Sequence, residues 1–416
     1  MPPLKDIWAR TRTLDAGYAI LWFMVTVYPL LVIPHPFYIS FPGGTVAPGY
    51  FYAPRYVALG LVALAALMLL LKRRVVLDHP AFIPLGLFVI FSMISGFLAP
   101  IPMTAWIGSP FRFTGLSTWY FCIILFILAY HTARAEDLLK WLSITGAVVS
   151  ALALLQYFGI NLVPHEPARE GLIAYGTLGH PNFLGTYTVF LLPVPVWFYL
   201  RSGSAMWLIC SNLLYAALLV SLCRGAWLAG LVIAPVVVAH TVRYVAKKRR
   251  LLILAAVFAL VTLLLLPARH GTLWARALSV TPQIEGALQL QDAAGSGRIF
   301  IWKKLVQLIP EFWAFGVGPD HLIYGGLMTS KGVVVDKAHN VFLEILVTMG
   351  TFTLLAYVAF LAFFLRPPKG GDALPFFAMV TAYAVQGLFN IDVVMNLPLF
   401  WITLGLAARA FSSAGT

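Results

Sequence analysis

The sequence predicts an all-α polytopic membrane protein of about 12 transmembrane helices, with one large extracytoplasmic loop that contains an amphipathic helix. Three observations predict it. Of 416 residues, 61% are hydrophobic and 10% charged, with a mean hydropathy of +0.89, whereas a soluble domain is about half apolar and about a quarter charged. Apolar runs of roughly bilayer-spanning length recur from one end of the chain to the other. Lysine and arginine crowd alternate connections between those runs, as the positive-inside rule requires. A soluble globular enzyme is excluded at this step.

Bounded by Gly, Pro and charge, the runs fall at 17–34, 52–71, 81–99, 117–131, 138–159, 183–200, 205–222, 225–242, 250–267, 341–365, 374–389 and 394–411. The first follows Lys5, Arg10 and Arg12 without a small-residue cleavage site, so it reads as a retained helix. With the N-terminus inside, seventeen Lys and Arg, Arg73 and Lys248 among them, fall on inner connections. Four, Arg55, Arg112, Arg169 and Arg224, fall on short outer ones. Both termini are therefore expected in the cytoplasm. No internal repeat is visible, and one integrated membrane domain is expected: helices 1–9 in residues 1–267, the large loop in 268–340 and helices 10–12 in 341–416. The net charge of +13 belongs to topology and lipid headgroups, so nucleic acid is not a partner. Cys122, Cys210 and Cys223 lie in or at the end of apolar runs and offer neither a disulfide framework nor metal-ligand spacing.

A structureless loop as long as 268–340 is unusual, so it is expected to hold helix. Residues 295–309 read as a helix opened by Gly295, Ser296 and Gly297, with Ile301, Trp302, Leu305 and Ile309 as its apolar stripe and Lys303, Lys304 and Gln307 opposite. Such a helix is expected on the membrane surface. A tight turn follows at Gly316-Val317-Gly318-Pro319.

Arg298 sits on the apolar stripe of that helix and in its first turn, where backbone N–H groups and the positive helix end favour phosphate; the competing reading is an arginine snorkelling to headgroups. Arg224 interrupts about 38 otherwise apolar residues, a depth at which a guanidinium faces an interior, a cavity or an anion, unless it only anchors an interface beside Trp227. Arg112 lies among aromatics, which cation–π packing explains equally well. His339 precedes the tenth run, where a helix N-terminus favours the neutral imidazole that a general base needs; its unperturbed pKa near 6.5 places the expected rise in rate there. Polar surface is the competing reading. Glu344 is an orienting or merely interfacial carboxylate, and His180, just before Asn182, has helix capping as its simpler explanation. No D-x-D and no metal-ligand cluster is present, and residues 34–51 hold no acid. A metal-dependent transferase using nucleotide sugars is therefore disfavoured, and arginine forks suit a lipid-linked diphosphate.

The pattern resembles the bacterial O-antigen ligases and their relatives, the O-antigen polymerases and protein O-oligosaccharyltransferases. The matching stretches are Arg112 with Gly115; Gly176-Thr177-Leu178-Gly179-His180-Pro181-Asn182-Phe183-Leu184-Gly185; Ser221 through Trp227; Gly297-Arg298 with Trp302, running into Gly316-Val317-Gly318-Pro319-Asp320; and Ala338-His339-Asn340 with Leu343. The resemblance implies a cofactor-free, metal-independent, inverting glycosyltransferase of the bacterial inner membrane, its site facing the periplasm. It would move a glycan from undecaprenyl diphosphate to lipid A-core, or to another glycan or a protein in the polymerase and protein-glycosylating relatives. It implies that Arg224 and Arg298 bind the diphosphate, that Arg112 adds a phosphate contact, and that His339 is the base, with His180, Asn182 and Glu344 supporting. A transporter or flippase of lipid-linked sugars is the reading from another class, but it calls for charge within several spans, whereas the spans here are nearly free of charge apart from their edges and the candidate residues all gather on one face.

Overall fold

The computed structural model describes residues 16–34, 39–41, 44–46, 49–109, 112–164, 171–244, 248–328, 332, 334–367 and 373–414; Lys5, Arg10, Arg12 and Arg169 lie outside them. The helices are α1 (Ala16–Leu30), α2 (Ala53–Leu71), α3 (Phe82–Leu98), α4 (Pro102–Ile107), α5 (Leu116–Tyr130), α6 (Ala135–Tyr157), α7 (Pro181–Leu191), α8 (Pro193–Ser202), α9 (Ala205–Val220), α10 (Arg224–Tyr244) and α11 (Lys248–Leu265). The long connection holds α12 (Ala268–Leu278), α13 (Val280–Leu288), α14 (Ala294–Val306) and α15 (Ile309–Phe312), and the chain ends on α16 (Val341–Ala362), α17 (Leu374–Gly387) and α18 (Leu397–Ala414). A short antiparallel pair, β1 (Ile39–Phe41) with β2 (Gly44–Val46), sits in the first connection.

Each apolar run of the sequence coincides with a helix. Among the described residues, four stretches are long and apolar enough on their own to cross a membrane: α2, α6, α7 continued by α8, and α16. Seven others are shorter apolar helices, and α11 qualifies together with the segment beyond it, from which it is bent by 110°. The chain is a helical membrane protein. Leu61 and Leu64 of α2, Ile83 and Phe97 of α3, Leu231 of α10 and Leu263 of α11 stay exposed, as lipid-facing side chains do when the surrounding solvent is hydrocarbon. The inner faces pack α18 on α5, α16 on α3, α9 on α6 and α17 on α10. Trp401, fully buried, stacks on Phe360 and meets Phe88, Trp119 and Phe126.

The long connection departs from expectation. After α11 the chain turns at Leu266 and Pro267, and α12, not α14, is the strongly amphipathic helix. The apolar stripe of α14 does not lie on a membrane surface: Ile301 and Leu305 are buried against Leu322, Val335, Ala338 and Val347. The period-3.6 pattern was sound, but the surface it matched belongs to the protein itself. Regular helix in α14 begins only at Arg298, because Gly295, Ser296 and Gly297 are all left-handed, with φ of 62°, 63° and 83°.

One interlock fixes this connection to the membrane helices. α16 breaks at Gly350 (φ 85°), which frees carbonyls that an unbroken helix would use. Val317 and Gly318 donate to the carbonyls of Val347 and Thr348, at 2.9 Å each, and Thr351 donates to that of Trp313 at 2.8 Å. A Cβ at Gly350 would lie 2.0 Å from the Ala314 carbonyl oxygen, and one at Gly316 would lie 2.2 Å from the Thr348 carbonyl carbon. Gly350→Ala should therefore cost more than about 2 kcal/mol, read as a lowered unfolding midpoint in detergent. Gly86→Ala in α3, whose Cβ would meet nothing within 4 Å, should leave the midpoint unchanged or slightly raised.

Candidate active site

Three arginines converge from three elements. Arg224 is the first residue of α10, Arg276 lies on α12, and Arg298 opens the regular part of α14. Arg224 donates through Nη1 to Ser279, at 3.4 Å to its carbonyl and 3.3 Å to its Oγ, and through Nη2 to Ser296 Oγ at 2.8 Å. Arg276 donates through Nε to the Leu222 carbonyl at 2.9 Å, so it also fixes the turn that presents Arg224. Among the described residues, none of the three pairs with a carboxylate. Burial lowers the pKa of Arg298, Cys223 opposes the shift and Arg276 adds to it. A cluster of cations without counter-charge is the electrostatic signature of an anion site.

His339 stands beside the cluster. Trp302 lies one turn beyond Arg298 on the same helix, and its Nε1 donates to the Ala338 carbonyl at 2.8 Å, which ties the arginine helix to the histidine. Burial, joined by Arg298, Arg112 and Lys337 and opposed by Asp336, pushes the His339 pKa down to about 4. The imidazole is therefore neutral at neutral pH, as expected, but its titration lies well below the unperturbed value near 6.5 anticipated from sequence. Its Nδ1 is buried with no hydrogen-bond partner among the described residues. Asn340 caps α16, its Oδ1 accepting from the N–H groups of Phe342 and Leu343 at 3.0 Å each.

The remaining residues singled out from sequence are near this centre but hold other partners. Arg112 donates through Nε to Asp336 at 2.9 Å and through Nη1 to the Tyr52 hydroxyl at 3.0 Å. One of its donor positions thus holds the loop that carries His339, and another holds the start of α2. Glu344 accepts from Ala338 N at 2.6 Å and from Lys337 Nζ at 3.1 Å, which ties the residues before His339 to α16. His180 caps α7, its Nδ1 accepting from Asn182 N at 3.1 Å.

His180 and Asn182 line a cleft of about 610 Å³ together with Ser221, Thr272, Arg276 and Ser279. Thr272, Arg276 and Ser279 fall at helical spacing on one face of α12 and its C-cap, so the cleft opens directly onto the arginine cluster. Arg276 escaped the sequence reading because it shares a short stretch with Arg269 and His270, which looks like ordinary solvated loop. Its one legible signal was amphipathicity across residues 268–278.

The class these features define is a helical membrane protein whose long connection brings arginines without a described carboxylate partner next to a buried histidine. The family model described as O-antigen ligase matches residues 208–358. That stretch runs from α9 into α16, contains Arg224, Arg276, Arg298 and His339, and bears out the resemblance carried by the scattered motifs. Arg112, His180 and Asn182 precede it. No curated protein matches the chain.

An anion held by three arginines should depend on each. Arg276→Ala is expected to weaken inorganic pyrophosphate binding about tenfold or more, comparable to Arg298→Ala. Arg276→Lys should recover only part, because lysine lacks the planar fork. Titration calorimetry on the purified protein checks both.

Proposed function

We propose that the protein is a membrane glycosyltransferase of the O-antigen ligase type, moving a glycan from undecaprenyl diphosphate to a hydroxyl of lipid A-core. The observation that carries this reading is the convergence of Arg224, Arg276 and Arg298, unpaired with any described carboxylate, on a neutral His339. The charge distribution supports a topology of twelve spans with both termini in the cytoplasm and residues 268–340 on the periplasmic side of the inner membrane, so donor and acceptor meet on that face.

In this reading the acceptor oxygen attacks the anomeric carbon while the bond from that carbon to the diphosphate oxygen breaks. The electron pair leaves with the diphosphate, where the arginine forks balance the developing charge. The hydroxyl proton passes to His339. A single displacement inverts the anomeric centre, and charge neutralisation by arginine calls for no metal, so chelators should leave turnover intact. Arg112 serves indirectly, through Asp336, and the cleft at His180 and Asn182 is the approach to the arginines.

The test is transfer in nanodiscs from a lipid-diphosphate glycan to purified lipid A-core. Glycan-bearing lipid A-core is the expected product, abolished in His339→Ala with pyrophosphate binding retained. Extension of a second lipid-linked glycan instead would make the protein a polymerase, and no transfer to either acceptor would overturn the reading.

The pH dependence follows from the site. His339 acts unprotonated, so activity is present above its pKa and is lost as pH falls through it. The acid limb of kcat/KM reports the free enzyme and should fall near pH 4, whereas that of kcat should lie higher, because bound diphosphate offsets Arg298. A kcat/KM limb near 6.5 would show that neither burial nor the arginines depress the His339 pKa.

A further inference from the structure

Directly behind His339 lies a buried ion-pair cluster that the proton transfer does not use. Lys337 has a side chain only 5% exposed, and its Nζ sits 2.5 Å from Asp320 Oδ1 and 3.1 Å from Glu344 Oε1. Asp320 is anchored in turn, its Oδ2 accepting from Ser109 N at 2.5 Å. The second oxygen of Glu344 accepts from the N–H of Ala338. A small chamber of about 20 Å³ adjoins these three side chains and Asp392, whose pKa burial pushes up to about 6 against the opposing Tyr383 hydrogen bond. Such a cluster is a costly way to stabilise a fold, because well-packed apolar side chains of similar volume are often as stable or more so. What charges add is a fixed geometry.

That geometry has an evident object. His339 holds a left-handed backbone, φ 52°, which costs a side-chain-bearing residue roughly 1–2 kcal/mol and persists only where the surroundings impose it. Each neighbour is pinned: Asp336 by Arg112, Lys337 by its two carboxylates, Ala338 by Glu344 at its N–H and Trp302 at its carbonyl, and Asn340 by the helix it caps. The Lys337 side chain joins three separate segments: the turn after Gly318, the His339 loop and α16.

We propose that Lys337, clamped between Asp320 and Glu344, is a positioning residue that holds His339 in its left-handed turn against the arginine cluster. The proposal rests on the reading of His339 as the base. Lys337 touches neither donor nor acceptor; it acts through the loop.

The experiment compares wild type, Lys337→Met, and the neutral triple variant Asp320→Asn with Lys337→Met and Glu344→Gln. The triple variant leaves no unpaired charge among residues 320, 337 and 344, so it separates positioning from folding should Lys337→Met alone fail to fold. Both variants are expected to lower kcat about 100-fold, the order of loss that a displacement near 1 Å produces, with donor KM and pyrophosphate affinity nearly unchanged. The triple variant should unfold close to the wild-type temperature.

Lys337→Met should also move the acid limb of kcat/KM to higher pH, since one of the cations lowering the His339 pKa is gone. A second readout needs no substrate: carbethoxylation of His339, followed by mass spectrometry, should be faster in both variants and slowed again by pyrophosphate only in part. Wild-type kcat in the triple variant, or His339 reactivity unchanged in both, would reduce the cluster to a fold element and overturn the proposal. Altered reactivity in a protein that transfers no glycan would instead leave the positioning intact and remove the transferase reading beneath it.

Discussion

A charge withdrawn from water must be matched, and this chain, with one residue in ten charged, shows where it is matched and where it is not. Arg55 of α2 is fully buried, yet its guanidinium donates to the carbonyls of Tyr28, Pro29, Phe51 and Thr177. It thereby closes the end of α1 and the start of α2 onto the turn that leads to His180. Lys337 is matched by two carboxylates and Arg112 by one. Against that background the state of Arg224, Arg276 and Arg298 is informative. The hydrogen bonds of Arg224 and Arg276 go to two serine hydroxyls and two carbonyls, which orient a guanidinium without neutralising it. The protein thus holds three positive groups near one another and supplies no described carboxylate to offset them.

The fold was legible because bilayer-length apolar runs carry little ambiguity: once water is excluded, helix is how such a segment satisfies its own backbone. All twelve runs are helical, although most are shorter than a full span. The long connection was less legible. Its helices were anticipated, but periodicity reports only that a face is apolar and not what covers it, so α14 read as a surface helix when its stripe meets Val335 and Val347. The interlock at Gly316 and Gly350 lay outside local pattern altogether, because it pairs backbone atoms thirty or more residues apart.

For the candidate site, Arg224, Arg298 and His339 stood out because each is a polar group where apolar periodicity or a span boundary makes it expensive. Arg276 did not, being one of several basic residues in a polar-looking stretch. Asp320 and Lys337 look like loop charges in sequence and become a buried pair only when the turn after Gly318 is brought beside α16. Arg112 was read by its type, and its ion pair with Asp336 shows why type alone falls short: an arginine suited to phosphate is equally suited to a carboxylate, and only the tertiary neighbourhood decides.

Backbone strain gives an independent measure of what this region is organised to do. Eight described residues other than glycine adopt positive φ, and five of them lie at or beside the groups discussed: Phe113 after Arg112, Leu222 two before Arg224, Ser296 two before Arg298, Asp320, and His339 itself. Each such residue costs free energy that ordinary packing would select against, and their concentration around one charge cluster is difficult to attribute to chain reversal alone, since glycine serves many of the other turns. A left-handed residue redirects the next side chain sharply. At Leu222 it frees a carbonyl that Arg276 takes, and at Ser296 it carries the hydroxyl that Arg224 reaches. The strained turns and the unneutralised arginines therefore belong to one arrangement: two of the left-handed residues supply the very atoms that hold Arg224 and Arg276 in place.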